Sequence, residues 1–387
     1  MNTTHDPIVF VAAKRTPQGR FNGSLAGYTS LDLAVAAGRA ALGDNTIPPS
    51  AIDMTILGNV LPPVINVARQ TSLRLGIPDS CVAYTVNMAC ASGLHAITLA
   101  ANALRLGQAE VVLCGGTESM TNAPHIIQGA RAGLRLGDGK VIDTLLLGLS
   151  DPFICENMTQ TAERLANRYQ ISRQEQDEYA LAGHQKAIAA QNNGQFAAEL
   201  AVLPELDRDE QPRADTSLER LAKLKPVLGP EYTITAGNAS GINDGAAVAV
   251  LCRLGTAERH GWQPLAKLSG YTSVGCDPRV MGEGPVHAIR KLLAMQGRTL
   301  DDFDAIEINE AFAAQLLACA RQLGFTGCDS RLNRYGSGIS LGHPIGASGA
   351  RIAVHLAHRI AAGETRRAIA SLCVGGGMGI AATLEAL

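Results

Sequence analysis

Hydrophobic residues in this chain form short continuous runs that alternate with alanine-rich amphipathic stretches. The apolar runs predict buried strands at 8–13, 51–60, 82–86, 110–114, 304–308 and 368–373. The alanine-rich stretches predict helices over 31–42, 93–106 and 346–361, and another helix that begins near 309. Alternation of strands with helices is typical of α/β proteins, and it indicates a parallel sheet covered on both faces.

The two ends of the chain share a local pattern. Ala-Ser-Gly at 91–93 opens a helix, and the strand after that helix reaches Cys114 and a glycine pair. Ala-Ser-Gly at 347–349 also opens a helix, and the next strand reaches Cys373 and a glycine triplet. This repetition favours a duplicated α/β unit.

Residues 121–244 have a different texture, with polar, charged helices predicted over 159–169 and 173–191. The segment is too long for a simple connection, so it predicts an inserted lid or cofactor-binding region, with a solvated structural insertion as the alternative. We therefore expect an N-terminal half of 1–120 plus 245–262, a loop domain of 121–244 and a C-terminal half of 263–387.

Composition narrows the class of protein. Of the 387 residues, 46% are hydrophobic and 18% are charged, which is typical of a folded chain with ample buried surface. Lys and Arg number 33 against 35 Asp and Glu, and no basic cluster is present. Nucleic acid is thus an unexpected partner, although a local basic pocket for a phosphorylated cofactor stays open. No apolar stretch approaches the length of a membrane span, so we expect no membrane insertion.

Cysteine usage points to a reducing compartment. The chain has nine cysteines, an odd number, and no Cys-x-x-Cys pair, so neither a disulfide framework nor a zinc site is expected. The first residues, 1–7, are polar and have no signal-peptide core. We expect a cytoplasmic protein without a bound metal.

Cys90 is the first candidate for chemistry, because it lies at a predicted strand-to-helix turn. The N–H groups at the start of a helix favour a thiolate there and can also hold an oxyanion. The alternative is a small core residue, since free cysteine is among the most buried residue types.

Three distant residues complement that thiol. His343 lies in a Gly-His-Pro turn and could accept the proton of Cys90 and then stabilise an oxyanion, although a lone histidine is more often structural. Cys373 could act as a second acid or base if its pKa is drawn toward neutrality. Asn309 is suited to orienting a water or polarising a carbonyl.

The segments that carry these residues, 87–93, 309–312, 342–349 and 373–379, together resemble the thiolase family. The resemblance spans nearly the whole chain, through 15–17, 115–120, 235–245 and 281–285. It implies a five-layered α-β-α-β-α fold with two related halves and a loop domain. It also implies CoA and acyl-CoA as substrates, no permanently bound cofactor, and a homodimer or a dimer of dimers.

The resemblance also implies a role for each residue. Cys90 matches the acylated nucleophile, His343 its activating histidine, and Cys373 the acid/base. Asn309 matches the residue that holds a water in the first oxyanion hole, and the backbone N–H groups of Cys90 and Gly375 match the second. The implied activity is reversible: condensation of acetyl-CoA with an acyl-CoA, or CoA-dependent cleavage of a 3-ketoacyl-CoA.

Further positions match contacts to CoA or to the acyl group. Ser240 matches a serine near the pantetheine amide, and Arg213 matches an arginine near the nucleotide, with a solvated surface charge as the alternative. The remaining expected contacts are Met158, Met281, Ala236 and Phe312.

The sequence departs from the family pattern at two places. Asn157 stands where short-chain biosynthetic members carry a histidine, so strict acetoacetyl-CoA specificity stays open. Val64 and Ile65 replace a Gly-Gln pair near the family's subunit interface.

A ketoacyl synthase acting on carrier-protein substrates is a rival function, and the second cysteine, Cys373, argues against it. A non-catalytic acyl-CoA-binding protein is another rival, and the intact set of candidate residues opposes it.

Overall fold

The computed structural model describes residues 6–44, 46–134 and 136–387, so residues 1–5 of the polar N-terminal stretch lie outside it. The strands are β1 (Ile8–Arg15), β2 (Gly19–Arg20), β3 (Met54–Gly58), β4 (Val82–Val86), β5 (Val111–Ser119), β6 (His125–Ile127), β7 (Val141–Asp143), β8 (Ser150–Asp151), β9 (Glu156–Asn157), β10 (Asn243–Arg253), β11 (Ala266–Gly275), β12 (Ala305–Ile308), β13 (Arg367–Val374) and β14 (Met378–Glu385).

The α-helices are α1 (Ser30–Asp44), α2 (Val67–Arg74), α3 (Ser92–Arg105), α4 (Thr144–Gly148), α5 (Met158–Arg168), α6 (Arg173–Asn192), α7 (Leu218–Ala222), α8 (Leu254–His260), α9 (Gly284–Gln296), α10 (Ala313–Leu323), α11 (Gly338–Leu341) and α12 (Ile345–Ala361). Short 3₁₀ turns lie at Pro49–Ala51, Ala130–Ala132, Pro278–Glu283 and Leu300–Asp302. No helix in the described part of the chain is long and apolar enough to cross a membrane.

The main sheet is mixed, in the order β12-β13-β14-β11-β1-β10-β5-β3-β4, and β2 pairs with β10. Only the pairs β3–β4, β3–β5 and β12–β13 of this path are parallel. The prediction of a parallel sheet is therefore wrong. Parallel neighbours need a long crossover, whereas β13 and β14 are joined by the glycine triplet 375–377, which permits only an antiparallel pair.

Helices lie on the outer faces of the sheet and also between its N-terminal and C-terminal strands. One hydrophobic cluster combines α3 and α12 with inward residues from β1, β5 and β10 on one side and from β13 and β14 on the other. A second cluster packs α1 and α2 on the outside of the N-terminal strands. A third packs α9 and α10 on the outside of the C-terminal strands. This arrangement confirms the predicted five-layered α-β-α-β-α fold.

The two central helices cross where each has a glycine. A Cβ on Gly93 would lie 2.8 Å from the backbone nitrogen of Ala350 and 2.9 Å from the carbonyl oxygen of Gly346. Real Cβ atoms do not approach backbone this closely, so glycine is required for the contact. The first turns of α3 and α12 consequently touch. Cys90 and His343, each two residues before one of these helices, are thereby brought to the same place.

Several element bounds differ from the prediction. The strand expected at 110–114 continues through the glycine pair 115–116 to Ser119, because Gly116 packs against α12 instead of turning the chain. The helix expected near 309 begins at Ala313, which leaves 309–312 as a loop after β12. The strand expected at 51–60 is shortened to Met54–Gly58. In the C-terminal half, β14 follows β13 and was not predicted.

Candidate active site

Cys90 lies on a tight bend between β4 and α3. Ala89 before it has a left-handed backbone with φ of 44°, which is unfavourable for a residue with a Cβ. Local hydrogen bonds hold the bend: Asn87 Oδ1 accepts from the N–H of Ala89 at 3.0 Å, and Ser92 Oγ donates to the carbonyl of Ala89 at 2.7 Å. Ser92 Oγ also accepts the N–H of Met88 at 2.8 Å. The position of the thiol is thus determined by polar contacts within six residues.

The thiol of Cys90 is half-buried, and its apolar surroundings come from distant segments. Leu61, Met120 and Ile345 pack around it. This burial raises the pKa of Cys90 to about 11, although the backbone N–H groups of Gly375 and of Cys90 itself act in the opposite direction. N–H groups at this turn thus favour the thiolate, but loss of water around the sulfur outweighs them in the free protein, so a base is needed.

His343 is buried and anchored at both its backbone and its ring. Its N–H donates to Asn243 Oδ1 at 3.0 Å. Its Nδ1 lies 2.6 Å from Ser348 Oγ, and the hydroxyl of Ser348 donates to the carbonyl of Pro344 at 2.9 Å. Because the hydroxyl proton of Ser348 points to the carbonyl of Pro344, the ring must donate its Nδ1–H to Ser348 Oγ in the 2.6 Å contact. The Nε2 lone pair is then free to accept a proton.

The ring of His343 is neutral at physiological pH. Burial lowers its pKa to about 4, and the positive charge of Arg351 acts in the same direction. A neutral imidazole with a free lone pair can act as a base toward a protonated thiol. Sequence reasoning missed both anchors of His343, Asn243 on its backbone and Ser348 on its ring. Ser348 could have been found, because it is the serine of the second Ala-Ser-Gly motif.

Asn309 lies beside that ring. Its Nδ2 is 3.4 Å from both ring nitrogens of His343, and its backbone N–H donates to Ser371 of β13 at 2.9 Å. Its Oδ1 is buried and has no hydrogen-bond partner among the described residues. An unpartnered buried amide oxygen next to a histidine is a place where a water or a polar substrate group can bind.

Cys373, the second thiol, is buried at the end of β13. Burial raises its pKa well above the usual value, and the neighbouring Cys90 adds to this through its charge. The condition set in the sequence analysis, a pKa drawn toward neutrality, is thus not met in the free protein. The shift depends partly on the charge of Cys90, so a change at Cys90 alters the acidity of Cys373.

Apolar side chains form a wall around Cys373. Met158, Met281 and Phe312 belong to one hydrophobic cluster with it. The sulfur of Met158 also reaches the glycine triplet, 3.5 Å from where a Cβ of Gly375 would lie. The wall therefore has the apolar character needed next to an acyl chain.

A cavity of about 270 Å³ lies next to this wall, and Arg213 and Ala236 line it together with His184, which sequence reasoning missed. Ala239 lines the cavity and also packs on the Cys373 cluster, so the two spaces adjoin. Ser240 is not a lining residue, but its N–H donates to the carbonyl of Ala311, at the boundary between them, at 2.9 Å. The side chain of Arg213 is exposed.

The structure thus brings the four predicted catalytic residues and Gly375 to one place, with Met158, Met281 and Phe312 around them and Arg213 and Ala236 in the adjoining cavity. No group of three or more His, Cys, Asp or Glu side chains in the described residues is arranged to hold a metal ion.

Comparison with known proteins gives consistent matches over the whole length. The model of the thiolase N-terminal domain matches residues 8–254, and that of the thiolase C-terminal domain matches residues 262–386. An acetyl-CoA acetyltransferase of Pseudomonas aeruginosa is 45% identical over 97% of this chain and 98% of its own length. The human mitochondrial 3-ketoacyl-CoA thiolase is 42% identical over 98% of each chain.

Solved structures agree. The crystal structure of the Bacillus anthracis acetyl-CoA acetyltransferase has a TM-score of 0.95 at 42% identity, covering 98% of this chain and 99% of that one. The crystal structure of human mitochondrial 3-ketoacyl-CoA thiolase in complex with CoA has a TM-score of 0.96 at 42% identity, covering 98% of each chain.

Proposed function

The chain belongs to the thiolase family, and we propose that it is an acetyl-CoA C-acyltransferase that works through an acyl-enzyme on Cys90. The observation that carries this proposal is the convergence of two thiols, Cys90 and Cys373, with a neutral histidine and the backbone N–H of Gly375. Claisen chemistry needs this division of labour, because one thiol must carry the acyl group while another group moves the proton on carbon.

In the first step, Nε2 of His343 takes the proton of Cys90 as the sulfur attacks the carbonyl of an acyl-CoA. The N–H groups of Cys90 and Gly375 stabilise the oxyanion. The leaving CoA thiolate then takes the proton from His343. Proton transfer during the attack fits the raised pKa of Cys90 and the lowered pKa of His343, since both groups start neutral.

Acylation also prepares the second step. Acylated Cys90 can no longer ionise, so the charge coupling between the two thiols that contributes to the raised pKa of Cys373 is absent in the acyl-enzyme. The proton of Cys373 then passes to Nε2 of His343, and the Cys373 thiolate removes the α-proton of acetyl-CoA. Nε2–H of His343 and a water on Asn309 hold the enolate oxygen. The enolate attacks the acyl group and releases the Cys90 thiolate, which takes the proton back from Nε2 of His343. In the cleavage direction the same steps run in reverse, and CoA takes the acyl group from Cys90.

CoA is proposed as a substrate that lies in the cavity next to the thiols, and no permanently bound cofactor is proposed. The relative solved with CoA supports this assignment. Arg213 offers a positive charge to the phosphorylated end, and Ala236 and Ser240 flank the pantetheine, whose reactive end then reaches Cys90. This cavity is built largely from the insertion 121–244, which supports its proposed role as a CoA-binding loop domain.

Two surfaces support a homo-oligomer, either a dimer or a dimer of dimers. The edge strand β4 leaves Val82 58% exposed and ends four residues before Cys90. In the insertion, the β6–β7 hairpin exposes Ile127 and Val141, and Phe153 beyond it is 85% exposed. Exposed apolar side chains in such clusters are typical of protein interfaces.

Each cysteine is a free thiol, which supports a reducing compartment such as the cytoplasm.

The test is direct. Purified protein, CoA and acetoacetyl-CoA should give loss of the magnesium–enolate absorbance of acetoacetyl-CoA and formation of acetyl-CoA, and mass spectrometry should find an acyl group on Cys90. Acyl-carrier-protein substrates offered in competition distinguish the ketoacyl synthase. Absence of turnover with acetoacetyl-CoA and with longer 3-ketoacyl-CoA would refute the enzymatic proposal and leave a binding protein.

A further inference from the structure

Glu118 is a buried carboxylate that the mechanism above does not use. It lies near the end of β5, its side chain is fully buried, and no Lys, Arg or His forms an ion pair with it among the described residues. Burying a carboxylate without a cation costs several kcal/mol unless hydrogen bonds compensate. Such a group needs a structural or functional reason.

Four donors compensate that burial. Oε1 accepts from Asn59 Nδ2 at 2.7 Å and from the N–H of Leu61 at 3.1 Å. Oε2 accepts from the N–H of Val60 at 3.0 Å and from the N–H of Gly346 at 3.0 Å. Burial raises the pKa of Glu118 to about 8, against the effect of the three N–H groups. Because each oxygen already accepts two hydrogen bonds, a proton on either one would displace a donor.

The donors come from two segments that are nearly three hundred residues apart in sequence. Asn59, Val60 and Leu61 form the loop after β3. Gly346 is in the first turn of α12, whose N-cap residue Pro344 makes no side-chain cap. Glu118 therefore caps α12 from the opposite half of the fold, by accepting the N–H of Gly346 at the start of the helix.

Both segments adjoin the reacting groups. Val60 and Leu61 pack in the same cluster as Cys90, and so does Ile345, two residues after His343. The carboxylate thus connects the wall beside the nucleophile to the turn that carries its base.

We propose that Glu118 is a positioning residue that holds the loop 59–61 and the first turn of α12 together, and thereby keeps Cys90 and His343 in their reactive arrangement. This inference rests on the proposed function, since it concerns how the same two residues meet. It does not involve contact between Glu118 and substrate. A shift of about 1 Å between reacting groups can lower a rate about 10²-fold, so the effect should be visible in turnover.

Glu118→Gln tests this role because it keeps the size of the side chain. An amide NH₂ in place of one oxygen faces two donors, so two of the four hydrogen bonds are lost. We expect kcat for acetoacetyl-CoA cleavage to fall about 10–100-fold with little change in KM, and acylation of Cys90 to slow by a similar factor. Loss of bulk stability alone would not slow the acylation of folded protein.

Asp53→Asn is the matched control. Asp53 is a carboxylate that joins the same strands at their opposite ends, accepting the N–H groups of Glu110 and Val111 at 2.7 and 2.9 Å. The Asp53→Asn substitution should lower the temperature of unfolding without changing kcat. If Glu118→Gln does not fold, Asn59→Ala removes only one donor and should still lower kcat several-fold.

The outcomes are separable. An inactive wild-type protein refutes the proposed function and not the structural coupling. If the wild type is active and both Glu118→Gln and Asn59→Ala have the same kcat as Asp53→Asn, the positioning role is overturned. A raised KM with unchanged kcat also overturns it, because the effect would then be on substrate binding.

Discussion

The hydrogen bond between Ser348 and His343 offers the sharpest test of how the base is prepared. Ser348→Ala removes one buried hydroxyl and leaves the backbone of α12 unchanged, since alanine is a better helix former than serine. Nδ1–H of His343 would lose its acceptor at 2.6 Å. Nothing then favours the tautomer in which Nε2 accepts a proton.

The size of the effect follows from burial. Ser348 is fully buried and His343 is 5% exposed, so water cannot easily replace the lost partner. An unsatisfied buried donor costs about 1–3 kcal/mol. If that cost is paid in the reactive arrangement, acylation of Cys90 slows about 5–150-fold. Protein stability should fall by no more than the same amount.

The assay is the rate of acyl-enzyme formation on Cys90, measured by rapid quenching and mass spectrometry. Thr117→Val is the control, because it removes a buried hydroxyl that donates to the carbonyl of Ser30 at 2.6 Å on the outer side of the sheet. The control should acylate at the wild-type rate. A Ser348→Ala variant that acylates within twofold of wild type would refute the tautomer argument.

Three further outcomes are expected. Since the pKa of Cys90 is raised to about 11, the thiolate fraction grows as pH rises, and alkylation of the free protein by iodoacetamide should accelerate through pH 10; a plateau below pH 9 would contradict this. Cys373→Ser should still form the acyl-enzyme but lose about 10²–10⁴-fold in condensation, and an equal loss in acylation would argue against separate roles. Asn157 caps α5 by accepting the N–H of Gln160 at 3.0 Å; Asn157→His should destabilise the protein by about 0.5–2 kcal/mol and shift preference toward acetoacetyl-CoA, and an unchanged chain-length profile would show that this position does not set specificity.

Local patterns predicted the elements well where the decisive contacts are local. Strand β4 was predicted with its observed bounds, and the bend at Cys90 is built from residues 87–92. The helix after β12 was placed four residues too early, because 309–312 form a loop held by tertiary contacts: the N–H of Asn309 bonds to Ser371, and the carbonyl of Ala311 bonds to Ser240. Periodicity carries no information about such contacts.

The sequence by itself determined the family, because motifs are properties of neighbouring residues, and through that resemblance it predicted the layered fold and the candidate reactive side chains. The tertiary structure decided their chemical state and their supports. Burial against Ile345 and other distant groups raises the pKa of the Cys90 thiol, and Glu118 can cap α12 because Gly346 N–H comes within 3.0 Å of its carboxyl group. Solvation and hydrogen-bond partners depend on which residues meet in space, and spacing along the chain does not specify that.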